Sequence, residues 1–206
     1  MRKARSSGRN KKGSCIGGLI RFVIFLVLLM AGVNFLVGTY FDMDIPTKIK
    51  RIQYPIKYEF FVEKYADEYK LDKNLVYAVM RTESRFDKFA VSAAGAKGLM
   101  QLTDETGAEC ARAAEVMGYT PSALFDPEIN IKLGCYYLRK LIDVYKSERN
   151  ALAAYNGGPG NVDKWLADTS NINNDGELVN IPFKETRNYV NRVLESRDMY
   201  RTIYVE

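Results

Sequence analysis

The sequence predicts an all-α domain over residues 54–206, and three observations favour helices throughout that range. Apolar residues recur at three- and four-residue spacing in every long segment after residue 57, which is typical of helices with one buried face. No segment shows the strict alternation of apolar and polar residues that predicts a half-buried strand. The chain has no internal repeat, and its segments are separated by Gly, Pro and Asn residues that favour turns.

The first 41 residues differ from the rest in charge and hydropathy. Seven basic residues and no acidic residue precede Asp42, so the +5 charge of the whole chain leaves −2 for the remainder. The uncharged run from Phe22 to Tyr40 is long enough to cross a bilayer. We therefore predict a basic cytoplasmic tail (residues 1–15), a transmembrane anchor (16–41) and an extracytoplasmic remainder, because basic flanks stay in the cytoplasm. A cleaved secretory signal is the alternative.

The composition excludes several classes of function. The chain contains no histidine, which excludes Ser-His-Asp and Cys-His catalysis and zinc sites built on histidine. The negative charge of the folded part removes the main support for nucleic-acid binding. We therefore expect no metal, no cofactor and no nucleic-acid partner. Chemistry in this chain must use carboxylates, hydroxyls, amides or lysine.

The helices of the domain are expected to follow a short linker, residues 42–53. Seven segments have helical spacing: 58–69, 71–85, 108–117, 129–145, 150–155, 162–166 and 183–204. Gly134 lies inside the fourth, where a glycine costs about 1 kcal/mol relative to alanine, so we expect close packing by another helix. The polar residues 168–180 predict a surface loop. Cys110 and Cys135 fit either a disulfide or two buried thiols.

Glu83 is the candidate catalytic residue. It follows Val76 by seven residues and so continues the apolar face of the second predicted helix. Burial disfavours the charged carboxylate and should raise its pKa, which suits a general acid. The alternative is a structural role, with Glu83 at the solvent edge of the last turn or paired with Arg81 or Arg85. A loop of small residues with Gly95 and Gly98 follows, and it is a plausible wall of a cleft.

Four motifs resemble those of the soluble lytic transglycosylase (SLT) family, in the same order. They are Glu-Ser-x-Phe-Asp with Ala-x-Ser and Gly-Ala-x-Gly-Leu-Met-Gln (83–101), Asn-Ile-x-x-Gly-x-x-Tyr-Leu (130–138), Ala-Ala-Tyr-Asn-Gly-Gly-Pro-Gly (153–160) and Ile-Pro-Phe-x-Glu-Thr-Arg-x-Tyr-Val (181–190). Together they span roughly residues 54 to 205. The resemblance implies a lysozyme-like helical domain, of the goose-type lysozyme and SLT kind, that cleaves peptidoglycan glycan strands.

The resemblance also implies a mechanism with one carboxylate. Glu83 would protonate the glycosidic oxygen and then, as a carboxylate, take the proton from the 6-hydroxyl of N-acetylmuramic acid. The product would be a 1,6-anhydromuramyl end. A hydrolytic muramidase is the nearest alternative, although most hydrolases of this bond use two carboxylates and no second one is evident. A non-catalytic wall-binding or assembly subunit is the alternative outside enzymes.

The resemblance further implies substrate-binding roles for Ser92, Gln101, Tyr155, Asn156 and Tyr189. Glu185 either lines the cleft or favours the N-terminal end of its helix. One position departs from the family pattern. The family often has Met-Pro where this chain has Thr103-Asp104, and the methionine lines a sugar site in relatives, which puts the packing at Thr103 in doubt. Asp104 can replace the proline as a helix starter.

Overall fold

A computed structural model describes residues 21–33 and 45–204 of the chain. Helix α1 comprises residues 21–33. The further helices are α2 (Ile45–Gln53), α3 (Glu59–Glu68), α4 (Lys73–Glu83), α5 (Asp104–Ala113), α6 (Pro127–Tyr145), α7 (Glu148–Gly157), α8 (Pro159–Ala167) and α9 (Lys184–Ile203), with 3-10 turns at Pro121–Phe125 and Thr169–Asn171. Extended pairing within these described ranges is limited to three isolated bridges, so the all-α prediction is confirmed.

The predicted tail, anchor and linker are described only in part. Residues 1–20, 34–44 and 205–206 lie outside the described residues, so the whole of the predicted tail and half of the predicted anchor are not described. Across residues 21–33 and 45–204, no helix combines the length and the hydropathy that a membrane span requires. Residues 45–53 of the predicted linker form helix α2. The chain divides into two compact units, and the second, from Lys50 onward, contains the domain described below.

Side-chain caps set the starts of several helices. The Asp72 side chain accepts a hydrogen bond from Asn74 N–H, and the Asp126 side chain accepts one from Ile129 N–H. Thr103 caps α5 by accepting from Thr106 N–H. The prediction of a helix over residues 108–117 was therefore wrong at both ends. The Thr103 cap starts α5 at Asp104, and the helix stops before Glu115, which has a left-handed backbone (φ 52°).

Helix α4 forms the centre of the domain. Every residue from Leu75 to Met80 is buried, so the helix contacts other elements on all sides at this level. Helix α9 packs along it, and α7 packs against both α6 and α9. One core cluster joins these four helices with α3, and a smaller cluster around Leu124 and Leu133 lies between α5 and α6. Glu83 is thus the last residue of a helix that the core holds in place.

The beginning and end of the domain are joined by tyrosines. The Tyr200 hydroxyl donates to the Pro55 carbonyl at 3.1 Å, and the Tyr204 hydroxyl donates to the Tyr54 carbonyl at 2.8 Å. The Arg81 guanidinium stacks on the Tyr54 ring, 4.0 Å from its centroid. These contacts fix residues 54 and 55 against helices α4 and α9.

Gly134 allows a close approach, although not by the element that we expected. A Cβ atom at this position would lie 2.3 Å from Met100 Sδ and 2.8 Å from Met100 Cβ. The close packing is therefore confirmed, but the neighbour is a side chain of the loop after Glu83 and not another helix. Cys110 and Cys135 are separate buried thiols in the structure, which corresponds to the second of the two alternatives.

Candidate active site

Glu83 is the last residue of α4, and the turn after it is held by Ser84. The Ser84 hydroxyl lies 2.8 Å from the Leu99 carbonyl and 3.1 Å from the Met80 carbonyl, and it accepts a hydrogen bond from Phe86 N–H. Arg85 and Phe86 both have left-handed backbones, with φ of 53° and 67°. Two such residues in succession are unfavourable without support from their surroundings. The Ser84 contacts provide that support and fix the direction in which α4 ends.

The Glu83 carboxyl is partly buried, and its pKa is strongly perturbed. Burial raises the pKa from its ordinary value of 4.5 to about 7, while the Tyr189 hydroxyl and the positive charge of Arg192 act in the opposite direction. Within the described part of the chain, Glu83 forms no salt bridge with Arg81 or Arg85. The structure therefore does not contain the ion pair of the structural alternative, but it does place Glu83 in the last turn of α4. A carboxyl group with this pKa can both donate and accept a proton near neutral pH.

Two tyrosines are close enough to Glu83 for its charge to raise their pKa values. Burial is the larger cause for both hydroxyls, and both pKa values lie well above 10. The Tyr155 hydroxyl donates to the Met100 carbonyl at 2.7 Å. The Tyr189 hydroxyl is buried and forms no hydrogen bond of good geometry within the described ranges, but it lies near enough to the Glu83 carboxyl for hydrogen bonding to favour the charged form. An unpartnered buried hydroxyl beside a perturbed carboxyl is typical of a functional site.

Asn130 of α6 holds the loop after Glu83, a role that the sequence analysis did not assign. Its side-chain amide donates to the carbonyls of Lys97 and Leu124 and accepts from Met100 N–H, at distances of 2.7–3.0 Å. Gly98, with φ of 77°, lies against this amide. A Cβ atom there would lie 2.2 Å from the Leu124 carbonyl oxygen. The signal in the sequence is that both residues belong to the motifs of the family resemblance, Gly98 to residues 83–101 and Asn130 to residues 130–138.

The remaining predicted site residues occupy different surroundings. The Gln101 amide donates to the carbonyls of Ala90 and Gly98, so its nitrogen closes the loop. Ser92 is exposed at the far end of this loop, where its hydroxyl accepts from Ala96 N–H. Asn156 lines a surface pocket between α7 and the start of α9, together with Glu185. The structure thus groups Tyr155 and Tyr189 around Glu83, with Gln101 and Ser92 in the adjacent loop.

Thr103 and Asp104 have structural contacts. Thr103 caps α5, and Asp104 forms a salt bridge of 2.6 Å with Lys97. Asp87 caps the adjacent turn by accepting from Phe89 N–H. No carboxylate of the described residues contributes to the pKa shift of Glu83. Residues 21–33 and 45–204 contain no group of three or more acidic residues or cysteines arranged to hold a metal ion.

Comparison with known proteins identifies the family. The model of the transglycosylase SLT domain matches residues 60–176, more than half of the chain. The chain belongs to the SLT domain family. This confirms the family and the lysozyme-like fold that the four motifs implied. The match stops before Tyr189, which the contacts of α9 nevertheless bring to Glu83.

Individual relatives agree with this assignment. The soluble lytic murein transglycosylase of Escherichia coli K12 is 34% identical over 152 residues, which are 72% of this chain and 24% of the relative. The membrane-bound lytic murein transglycosylase C of Edwardsiella ictaluri is 33% identical, over 71% of this chain and 47% of the relative. An inactive Glu-to-Gln mutant of lytic transglycosylase Slt from Pseudomonas aeruginosa superposes with a TM-score of 0.68 and 35% identity, over 74% of this chain and 25% of that structure.

The matched SLT proteins are longer than this chain. The chain spans about a quarter of the Escherichia coli relative and about half of the Edwardsiella ictaluri relative. The shared part contains Glu83 and the loop that follows it.

Proposed function

We propose that this protein is a membrane-anchored lytic transglycosylase that cleaves the β-1,4 bond between N-acetylmuramic acid and N-acetylglucosamine in peptidoglycan without hydrolysis. The observation that carries the proposal is the Glu83 carboxyl, partly buried at the end of α4, with a pKa raised to about 7 and no salt-bridge partner within the described ranges. Membership of the SLT family supports the choice of reaction. The inactive Glu-to-Gln mutant of the Pseudomonas aeruginosa relative is consistent with a catalytic glutamate.

The chemistry follows from the two protonation states of Glu83. Protonated Glu83 donates its proton to the glycosidic oxygen as the bond to the anomeric carbon breaks, and the positive charge that develops on the sugar is stabilised by its own 2-acetamido group. The resulting carboxylate then accepts the proton of the 6-hydroxyl as that oxygen bonds to the anomeric carbon. Glu83 is regenerated in its protonated form, and no water is consumed. A pKa near 7 serves both steps, because neither form of the group is strongly disfavoured.

The surrounding residues support this cycle in different ways. The Tyr189 hydroxyl lies beside the Glu83 carboxyl, where hydrogen bonding from it favours the carboxylate form, and it forms no other hydrogen bond within the described part of the chain. Tyr155 fixes the Met100 carbonyl at the edge of the proposed cleft. We assign substrate contacts to Gln101, Ser92 and Asn156 on the family motifs.

A hydrolytic muramidase is the nearest alternative. An inverting hydrolase needs a second carboxylate about 6.5–9.5 Å from the acid, with room for a water, and a retaining one needs it at about 5–5.5 Å. No carboxylate of the described residues is among the groups that shift the pKa of Glu83, and no second catalytic carboxylate is evident in the sequence. This favours the non-hydrolytic route. A wall-binding subunit without activity is disfavoured, because binding alone does not require a partly buried carboxyl group of perturbed pKa.

Anchoring is proposed on the sequence. The basic residues 1–15 and the apolar residues 16–41 would hold the domain outside the cytoplasmic membrane, next to the wall. A membrane-bound lytic murein transglycosylase among the relatives supports this arrangement. The linker and catalytic boundaries at 42–53 and 54–206 are proposals on the same basis.

The proposal is tested by mass spectrometry of the fragments that the purified full chain releases from peptidoglycan. We expect fragments that end in 1,6-anhydromuramic acid, and we expect a loss of release of about 10²–10⁴-fold with Glu83→Gln. Glu105→Gln is a matched control, because Glu105 is exposed on α5, and it should retain activity. Fragments that are heavier by one water would identify a muramidase. Binding to peptidoglycan without release by the unmodified protein would indicate a wall-binding subunit.

A further inference from the structure

Residues 50–55 lead the chain into the domain along α4 and α9. Arg81 Nε donates to the Gln53 carbonyl at 3.0 Å, and the Tyr204 hydroxyl donates to the Tyr54 carbonyl at 2.8 Å. These contacts hold the main chain of the segment in place and leave Ile52 uncovered, with 78% of its surface exposed. A large exposed apolar side chain on a fixed backbone is informative where its neighbours form one chemical surface.

Basic side chains surround Ile52. It lines a cavity of about 450 Å³ between α4, α9 and residues 52–55, and the same lining contains Arg81, Arg85 and Arg192. The lining has one acidic residue, Glu195. Ile52 is thus exposed on a part of the surface where positive charge predominates.

Two further cations lie next to this lining. The Lys57 Nζ lies 6.0 Å from the centroid of the Phe86 ring, and Phe86 lines the cavity. Arg51 precedes Ile52, and its guanidinium carbon lies 5.4 Å from the centroid of the Tyr204 ring. We call the exposed members of this group the basic face, which comprises Arg51, Ile52, Lys57, Arg85 and Arg192.

The charge of the domain is unevenly distributed. Residues 50–206 contain 22 basic and 23 acidic residues, a net charge of −1. The four cations of the basic face together with Arg81, less the charge of Glu195, give +4, which leaves −5 for the rest of these residues. Such a separation orients a protein on an anionic surface, because one side is attracted and the other sides are repelled.

The cations of the basic face are not neutralised by carboxylates of the described residues. Arg85 and Arg192 are exposed, and neither side chain forms a hydrogen bond or salt bridge with another described residue. Arg51 and Lys57 lie over aromatic rings, which leave their charges intact. All four can therefore attract phosphate groups outside the protein.

We propose that the basic face rests on the anionic phospholipid headgroups of the membrane, with Ile52 inserted among them. The inference rests on the proposed function, because it takes residues 16–41 as the membrane anchor. Residue 50 follows that segment by nine residues, which span about 30 Å at most, so the basic face is the part of the domain that the chain brings to the bilayer. Apolar side chains among lysines and arginines are typical of segments that lie in the membrane interface.

The exposed isoleucine favours a lipid surface over a soluble phosphate polymer. A phosphate polymer of the wall would attract the four cations, but it would leave Ile52 in water. A bilayer offers phosphate groups and, just below them, an apolar region that removes the side chain from water. The contact would hold the domain in one orientation above the membrane, in addition to the attachment through the anchor.

Quenching of tryptophan fluorescence by brominated lipids is the first test. The full chain is reconstituted in vesicles of phosphatidylcholine and phosphatidylglycerol with brominated acyl chains. Ile52→Trp places the probe on the basic face, and Val144→Trp is the matched control on α6, where Val144 is 61% exposed. Trp165 is common to both variants. We expect quenching of the Ile52→Trp probe alone, and we expect its loss in about 1 M salt, where the Debye length is about 3 Å.

Removal of charge is the second test. In the Ile52→Trp chain, Arg85→Gln with Arg192→Gln removes two cations that have no partner among the described residues, so the fold should be retained, which circular dichroism checks. Each basic side chain near an anionic membrane strengthens binding about fivefold, so the ratio of docked to free domain, measured from fluorescence lifetimes, should fall about 25-fold. Arg112→Gln with Lys164→Gln is the matched control, because both residues are exposed outside the basic face, and it should leave the ratio unchanged.

The first group of outcomes concerns the basic face. Equal quenching of the two tryptophan probes would overturn the proposal, and so would equal quenching of Ile52→Trp in vesicles without phosphatidylglycerol or equal losses in the two double variants. A response of the Ile52→Trp emission to a soluble glycerol phosphate polymer, without quenching by the vesicles, would assign the face to a wall polymer and would also overturn it.

The second group of outcomes separates this proposal from the proposed function. Flotation of the vesicles in about 1 M salt tests the anchor, because an anchored chain stays with the vesicles whatever the salt concentration. A chain that leaves the vesicles in high salt but is quenched in low salt would support the basic face and refute the anchor. Quenching that depends on Arg85 and Arg192 in a chain that cleaves no strand would support the basic face and refute the proposed activity.

Discussion

Asn130 is the residue through which helix α6 holds the loop after Glu83, and Asn130→Ala tests that role. The buried side chain of Asn130 makes three hydrogen bonds to main-chain groups, namely the carbonyls of Lys97 and Leu124 and the N–H of Met100. The Met100 carbonyl in turn accepts from Tyr155. Loss of the amide therefore affects both the stability of the domain and the position of the loop beside Glu83.

The magnitude follows from the groups left without partners. Alanine would leave the Leu124 carbonyl and the Met100 N–H unpaired, whereas the Lys97 carbonyl keeps its bond from Leu102 N–H. Each unsatisfied buried group costs about 1–3 kcal/mol. Water that enters the space of the missing amide would recover part of this. We therefore expect the free energy of unfolding to fall by about 2–4 kcal/mol, a large part of the 5–15 kcal/mol that is usual for a domain.

The assay is urea unfolding of the full chain in detergent. The chain has a single tryptophan, Trp165, which is buried in the core, so its fluorescence reports the unfolding of the domain. Asn188→Ala is the control, because Asn188 is exposed on α9, and it should change stability by less than about 0.5 kcal/mol. A loss below about 1 kcal/mol for Asn130→Ala, or equal losses for both variants, would refute the reasoning.

Two further predictions concern Glu83 and Gly134. Because the folded-state pKa of Glu83 is about 7 and so above its ordinary value of 4.5, the unfolded state ionises first and the native carboxyl opposes folding as the pH rises. Glu83→Gln should therefore be more stable than the unmodified chain by about 1–2 kcal/mol at pH 8, and the two proteins should be equally stable below pH 4. Urea unfolding at both pH values measures this. The same stability difference at both pH values would contradict the raised pKa. Gly134→Ala should destabilise the domain by about 1–3 kcal/mol and lower its melting temperature, since the added Cβ would overlap Met100. The control is Gly160→Ala, whose added Cβ meets no atom within 4 Å and should not lower the melting temperature. Equal melting temperatures for the two variants would show that Met100 moves aside without cost.

The sequence predicted the helical class and most of the helices, because apolar periodicity is a local property of the chain. Helix α6 was predicted to end at Tyr145, as it does, and α4 was predicted within two residues at each end. Helix α5 begins four residues before the predicted start at residue 108, at Asp104, the residue that the sequence analysis identified as a helix starter. The small and polar residues of α5 give a weak periodic signal there, and the Thr103 cap decided the boundary.

The sequence also indicated Glu83, since a carboxylate that continues an apolar face is costly and therefore informative. It could not reveal the burial that raises the pKa to about 7, because this burial arises where α4 packs against helices that are distant in the chain. The same packing brings Tyr189 and Arg192 of α9 to the carboxyl, where both lower its pKa. The role of Asn130 depends on contacts of the same kind, between residues far apart in sequence. Periodicity and local caps are thus determined within a few residues, whereas the electrostatics of the site arise only when α4, α7 and α9 pack together.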